Sequence, residues 1–106
     1  MIHHTMIVSF AESIQEAELD QFLKDIEQVM RDSEQIQTFA ASRHIRVPAE
    51  DHSPVPTATA IVQIALGDLD ALNASFAAPG LEEVIRHWQS RHPYKVIWAN
   101  HEPLSS

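Results

Sequence analysis

The sequence has no cysteine. That excludes disulfides, thiolate catalysis and cysteine-held zinc, and it suits a reducing compartment. Glycine is nearly absent too. With only Gly67 and Gly80, no Gly-rich loop exists to cradle a phosphate. Basic residues are scarce: 7 Lys and Arg stand against 15 Asp and Glu, a formal charge of -8. Nucleic-acid binding needs clustered cations against the phosphates, so a polyanion partner is disfavoured. No apolar run approaches the ~20 residues of a membrane helix. The opening Met1-Ile2-His3-His4 enters an alternating segment at once and does not have the form of a signal peptide. The expectation is a cytoplasmic protein with no membrane and no nucleic-acid partner.

What is present fits one domain. Of 106 residues, 44% are hydrophobic, an ordinary globular share. The domain is placed at residues 1–102, with a polar tail at 103–106. A core of this size is marginal alone, which favours burial of further surface in a homodimer.

Period-two alternation marks a first strand, with Ile2, His4, Met6, Val8 and Phe10 on one row and His3, Thr5, Ile7 and Ser9 on the other. Ser13 with Glu16 three residues later has the capping-box spacing, which predicts a helix starting at Ser13. Leu19, Phe22, Leu23, Ile26, Val29 and Met30 form its apolar stripe. A second strand is predicted over 36–47, with Phe39, Ala41, Arg43, Ile45 and Val47 on one face. Three prolines make 48–56 a loop. A third strand follows over 57–66. Asp68 can cap the next helix, which runs over 69–77, breaks at Pro79-Gly80 and resumes over 81–90. A fourth strand over 94–101 carries Tyr94, Val96 and Trp98 in alternation. The order is β-α-β-β-α-β. Right-handed crossovers then give an α+β, ferredoxin-like fold, a four-stranded antiparallel sheet with two helices on one face. The other face would carry Ile7, Ile61, Ala65, Ile97 and Ala99 among Thr5, Ser9, Thr59 and Gln63. A half-apolar open face of this kind asks for a partner subunit.

The opening Ile2-His3-His4-Thr5-Met6-Ile7-Val8-Ser9-Phe10, the acidic helix after it, and the Pro-interrupted helix at 68–81 resemble the stress-responsive A/B barrel (Dabb) family, within the dimeric α/β barrel superfamily. The resemblance in element order and length covers nearly the whole chain. It implies a homodimer whose sheets face each other to form a dimeric α/β barrel, helices outside. Members include polyketide cyclases, small-molecule isomerases, antibiotic-biosynthesis monooxygenases and haem-degrading enzymes, so the fold does not fix the chemistry. His4 matches the strand-one His of the family's plant polyketide cyclase. The positions of that enzyme's other three catalytic groups hold Ala60, Ser75 and Leu81 here, which counts against the same aldol-type cyclisation. The haem-degrading pattern is not met either: strand one has no Asn, and Trp88 directly follows His87.

His4 is the catalytic candidate, since an imidazole in a partly apolar pocket can act as acid or base near neutral pH. Arg43 among apolar neighbours needs an anion, either a substrate acid group or an internal carboxylate from the first helix. Phe22, Phe39, Phe76, Trp88, Tyr94 and Trp98 would wall a pocket for a flat, hydrophobic or aromatic ligand, with Asn100 adding a polar contact. Each of these aromatics also has a plain packing role open to it. His87, His92 and His101 do not have a metal-ligand spacing. The leading expectation is a cofactor-free, metal-free enzyme of secondary metabolism acting on an aromatic, polyketide-like or pyrrolic intermediate by cyclisation or condensation. A non-catalytic ligand-binding or stress-response module is the first alternative. A cofactor-free monooxygenase of the antibiotic-biosynthesis type is the second.

Overall fold

The computed structural model describes residues 1–53 and 58–104. The elements are β1 (Ile2–Phe10), α1 (Glu16–Asp32), β2 (Ile36–Arg43), a 3-10 turn (Pro48–His52), β3 (Ala60–Leu66), α2 (Leu69–Phe76), α3 (Leu81–Arg91) and β4 (Tyr94–His101). The strands form one antiparallel sheet in the order β2-β3-β1-β4. This is the expected α+β, ferredoxin-like arrangement. Its second helix is two segments, α2 and α3, joined through Gly80 at φ +86°, a backbone region open chiefly to glycine.

Register fixes which side chains meet. Met6 pairs with Val62 and Trp98, and His4 with Ile64 and Asn100. Ile2, His4, Met6, Val8 and Phe10 therefore face the helices, as the alternation predicts. In β2 the ladder shifts between Ile36 and Thr38. The extra residue lets Ile36 and Phe39, of opposite parity, both pack on the core.

The core is Val8, Val62, Ile64 and Leu66 from the sheet against Leu19, Phe22, Ile26, Val29 and Met30 from α1, with Leu72 and Trp88 behind them. Phe22 is fully buried, its ring 5.2 Å from Phe10, 5.6 Å from Trp88 and 5.1 Å from Tyr94. The Trp88 indole N–H donates to Asp25 Oδ2 at 2.9 Å and ties α3 to α1.

Four expectations need correction. The helix does not start on Ser13. Gln15 is the N-cap without a side-chain bond, and its carbonyl accepts from Glu18 and Leu19. Ile14 packs on the core, so the chain enters from an extended segment. The second strand stops at Arg43, because Arg43 already faces Ala60, the first residue of β3. Ile45 and Val47 are exposed rather than inward. The proline-rich loop begins with an ordered turn, held by Glu50, which accepts from the Val47 N–H and pairs with His44 Nε2 at 2.6 Å. The Val47 bond, reinforced by His44 and Arg46, keeps the Glu50 carboxyl below the usual carboxylate pKa. The third strand starts at Ala60. Thr57, where it was expected to begin, lies outside the described residues, as do the last prolines of the loop and the end of the polar tail.

Candidate functional site

α2 rests on β1, β2 and β3, whereas α3 packs chiefly on α1. The gap between α3 and the β1–β4 side of the sheet is a cavity of about 260 Å³. The sheet supplies His4, Met6, Ile64, Leu66, Tyr94, Val96 and Trp98 to it, and the helices supply mostly aliphatic groups together with Ser75, Phe76 and Gln89. Among the described residues, no Asp, Glu, Lys or Arg lines it. Larger depressions lie elsewhere, such as one of about 540 Å³ beside Asp68, Asp70 and Glu102. That one is open to solvent, and among the described residues no titratable side chain lining the larger depressions is as buried as His4.

His4 is 3% exposed and, among the described residues, is one of two buried polar residues, with Ser75. Its Nδ1 lies 2.5 Å from Asn100 Oδ1. An amide oxygen only accepts, so Nδ1–H is the donor. Nε2 has no partner among the described residues. Above the ring, Phe76 stands edge-on at 5.3 Å and Trp98 is tilted at 5.7 Å, with Phe76 and Trp98 5.4 Å apart. Trp98 is 55% exposed and Phe76 40%, so the histidine lies at the foot of an aromatic pair that reaches solvent.

The other polar groups are mostly occupied. The Ser75 hydroxyl donates to the Leu72 carbonyl at 2.7 Å. The Gln89 amide brackets the Tyr94 backbone, donating to its carbonyl at 2.9 Å and accepting from its N–H at 3.0 Å. Tyr94 pairs with Phe10 in the ladder, six residues along β1 from His4. Its side chain therefore marks the opposite end of the cavity, and burial pushes its hydroxyl pKa upward.

Of the residues singled out from sequence, His4, Phe76, Tyr94 and Trp98 line the cavity. Asn100 contacts His4 itself. Arg43, Phe22, Phe39 and Trp88 lie outside the lining. Arg43 meets the internal carboxylates that were the alternative to a ligand: Asp20 holds it at 2.7 and 2.8 Å and Glu16 at 3.1 Å. Phe22 and Trp88 are core, and Phe39 packs against it. Gln89 was missed, although its place one turn after Ile85 puts it on the same helical face. On the far side of the sheet His3 stacks on His101 at 5.5 Å. Among the described residues, no three His, Asp or Glu converge as a metal site, and no helix is long and apolar enough to cross a membrane.

Neither a family model nor a curated protein matches the sequence. Solved structures do match the fold. A Dabb family protein with a ferredoxin-like fold from Mesorhizobium loti superposes with a TM-score of 0.73 at 18% identity, over 98% of this chain and 97% of that one. A hydroxynitrile lyase from Passiflora edulis gives 0.76 at 11% identity, over 99% and 94%. A dimeric ferredoxin-like protein of unknown function from Thermobifida fusca gives 0.73 at 10%, over 96% and 90%. At such identities the likeness is one of fold, and the fold of this chain is the ferredoxin-like fold that Dabb proteins have.

Proposed function

We propose that the protein is a cofactor-free acid–base enzyme that cyclises, condenses or cleaves a small uncharged aromatic or polyketide-like molecule, with His4 as the proton-transfer group. One observation carries the reading: a buried imidazole, bonded through Nδ1 and without a partner at Nε2 among the described residues, lines an apolar cavity. Among the described residues the lining holds no fixed charge to pair with an ionic ligand, so an uncharged one fits best. The volume lies just under the usual range for ligand sites, which suits a single ring with a short substituent. Phe76 and Trp98 would pack on that ring beside His4.

The chemistry balances without an oxidant. Nε2 takes a proton from an activated C–H, the carbon electron pair forms a bond to a carbonyl carbon, and the resulting alkoxide recovers the proton from the imidazolium. Run in reverse from a hydroxyl proton, the same step breaks a carbon–carbon bond and releases a carbonyl compound. The similar fold of a hydroxynitrile lyase supports a reaction of this class. A homodimer in the cytoplasm completes the proposal; the dimeric protein of similar fold and the exposed isoleucines of the open sheet face support the pairing.

The test is turnover of a panel of uncharged aromatic cyanohydrins and polyketones in the presence of a chelator. The expected result is activity that His4→Ala lowers by about 10²- to 10⁴-fold. Ligands that bind and return unaltered would identify a binding module. Oxygen uptake with phenolic substrates would identify a monooxygenase.

A further inference from the structure

We infer that Asn100 is the positioning residue of the site: it holds His4 in the Nδ1–H tautomer and so keeps Nε2 as a lone-pair acceptor toward the cavity. The inference rests on the acid–base reading above but has its own observable. His4 and Asn100 are directly paired across β1 and β4, so the backbone register brings the amide to the ring. Asn100 Oδ1 lies 2.5 Å from Nδ1 and can serve only as acceptor. A free imidazole in water favours the opposite tautomer, with the proton on Nε2. In that form His4 would present a donor to the cavity and could not take a proton. The second hydrogen bond of a histidine commonly sets which nitrogen does the work.

The choice of Asn over Asp also matters. A carboxylate at this position would stabilise the imidazolium and raise its pKa. The neutral amide fixes the tautomer without adding that charge. Asn100 lies on the edge strand with its residue surface exposed, so substituting it leaves the buried core intact.

The experiment is 15N NMR of the imidazole nitrogens of His4 in the unliganded protein, followed by a pH titration and turnover where a substrate is in hand. In the native protein, Nδ1 should carry the proton throughout the neutral range. Asn100→Leu should move the proton to Nε2 and lower kcat about tenfold or more with little change in KM. Asn100→Asp should keep the native tautomer, raise the His4 pKa, and shift the rising limb of the pH–rate profile to higher pH. An unchanged His4 spectrum in Asn100→Leu would overturn the inference, as would an unshifted titration in Asn100→Asp. If the spectra change as expected while His4→Ala retains full turnover, the acid–base reading fails and the role of Asn100 in setting the tautomer stands.

Discussion

At the scale of single residues, Tyr94 shows how packing sets the protonation of a side chain. Its ring lies 5.3 Å from Phe10 and 5.1 Å from Phe22, while Gln89 binds both its backbone groups. Burial disfavours the phenolate and raises the hydroxyl pKa above its ordinary 10.0. In the folded state the proton is held more tightly than in the unfolded chain. The stability this contributes is therefore complete below pH 10 and is lost as pH rises through the folded value. Urea unfolding from pH 8 to 11 should show a falling midpoint above pH 10, and Tyr94→Phe should flatten that fall. An identical pH dependence in the variant would mean that another group causes it. Arg43 marks the reverse case. Its row in β2 does face the helices, but the row ends beside Glu16 and Asp20 at the start of α1. Two carboxylates already within reach satisfy it, and a half-exposed pair of this kind contributes at most about 1 kcal/mol.

At the scale of elements, α1 ends with a strained residue. Glu34 has φ 60°, a left-handed conformation that a side chain disfavours and a glycine adopts freely. Ser33 closes the last turn, donating its hydroxyl to the Met30 carbonyl at 2.5 Å, and the Glu34 N–H follows to Arg31. Glu34→Gly should stabilise the protein by about 0.5–1 kcal/mol, since the exposed carboxylate makes no contact that the change removes. A rise in Tm of a few degrees would agree with this, and a fall would show that the helix end depends on the glutamate. The element order was legible in the sequence because hydrophobic periodicity reports facing directly. Ends were less legible. Ser13 and Glu16 have the spacing of a cap, but the burial of Ile14 decides where the helix closes. The alternation of β2 runs on past Arg43 through Ile45 and Val47, yet alternation says nothing of where the partner strand begins. His4 facing the helices followed from parity. Its bond to Asn100 needed the β1–β4 register, and the cavity needed the stand-off of α3, which no local pattern encodes.

At the scale of the whole molecule, the sheet has one face covered and one open. Ile61, Ile7 and Ile97 line up across β3, β1 and β4 on the open face, 44%, 38% and 63% exposed. Around them Gln63 donates to Thr5 and Thr5 bonds His101 Nε2, while the buried Nδ1 of His3 has no partner among the described residues. Three aligned, exposed isoleucines form a surface that gains by being covered. A second copy would bring the same row against it by a two-fold axis. Ile97→Lys tests this proposed pairing. In an isolated subunit the lysine lies on an exposed edge strand and leaves the fold intact. In a symmetric pair it buries two ammonium groups among isoleucines, at about 2 kcal/mol or more each. Sedimentation equilibrium at micromolar concentration should give a dimer for the native chain and a folded monomer, by circular dichroism, for Ile97→Lys. A native chain that stays monomeric at hundreds of micromolar would mean that this face is stable in water, and the fold would then act as a single subunit with its cavity complete on its own.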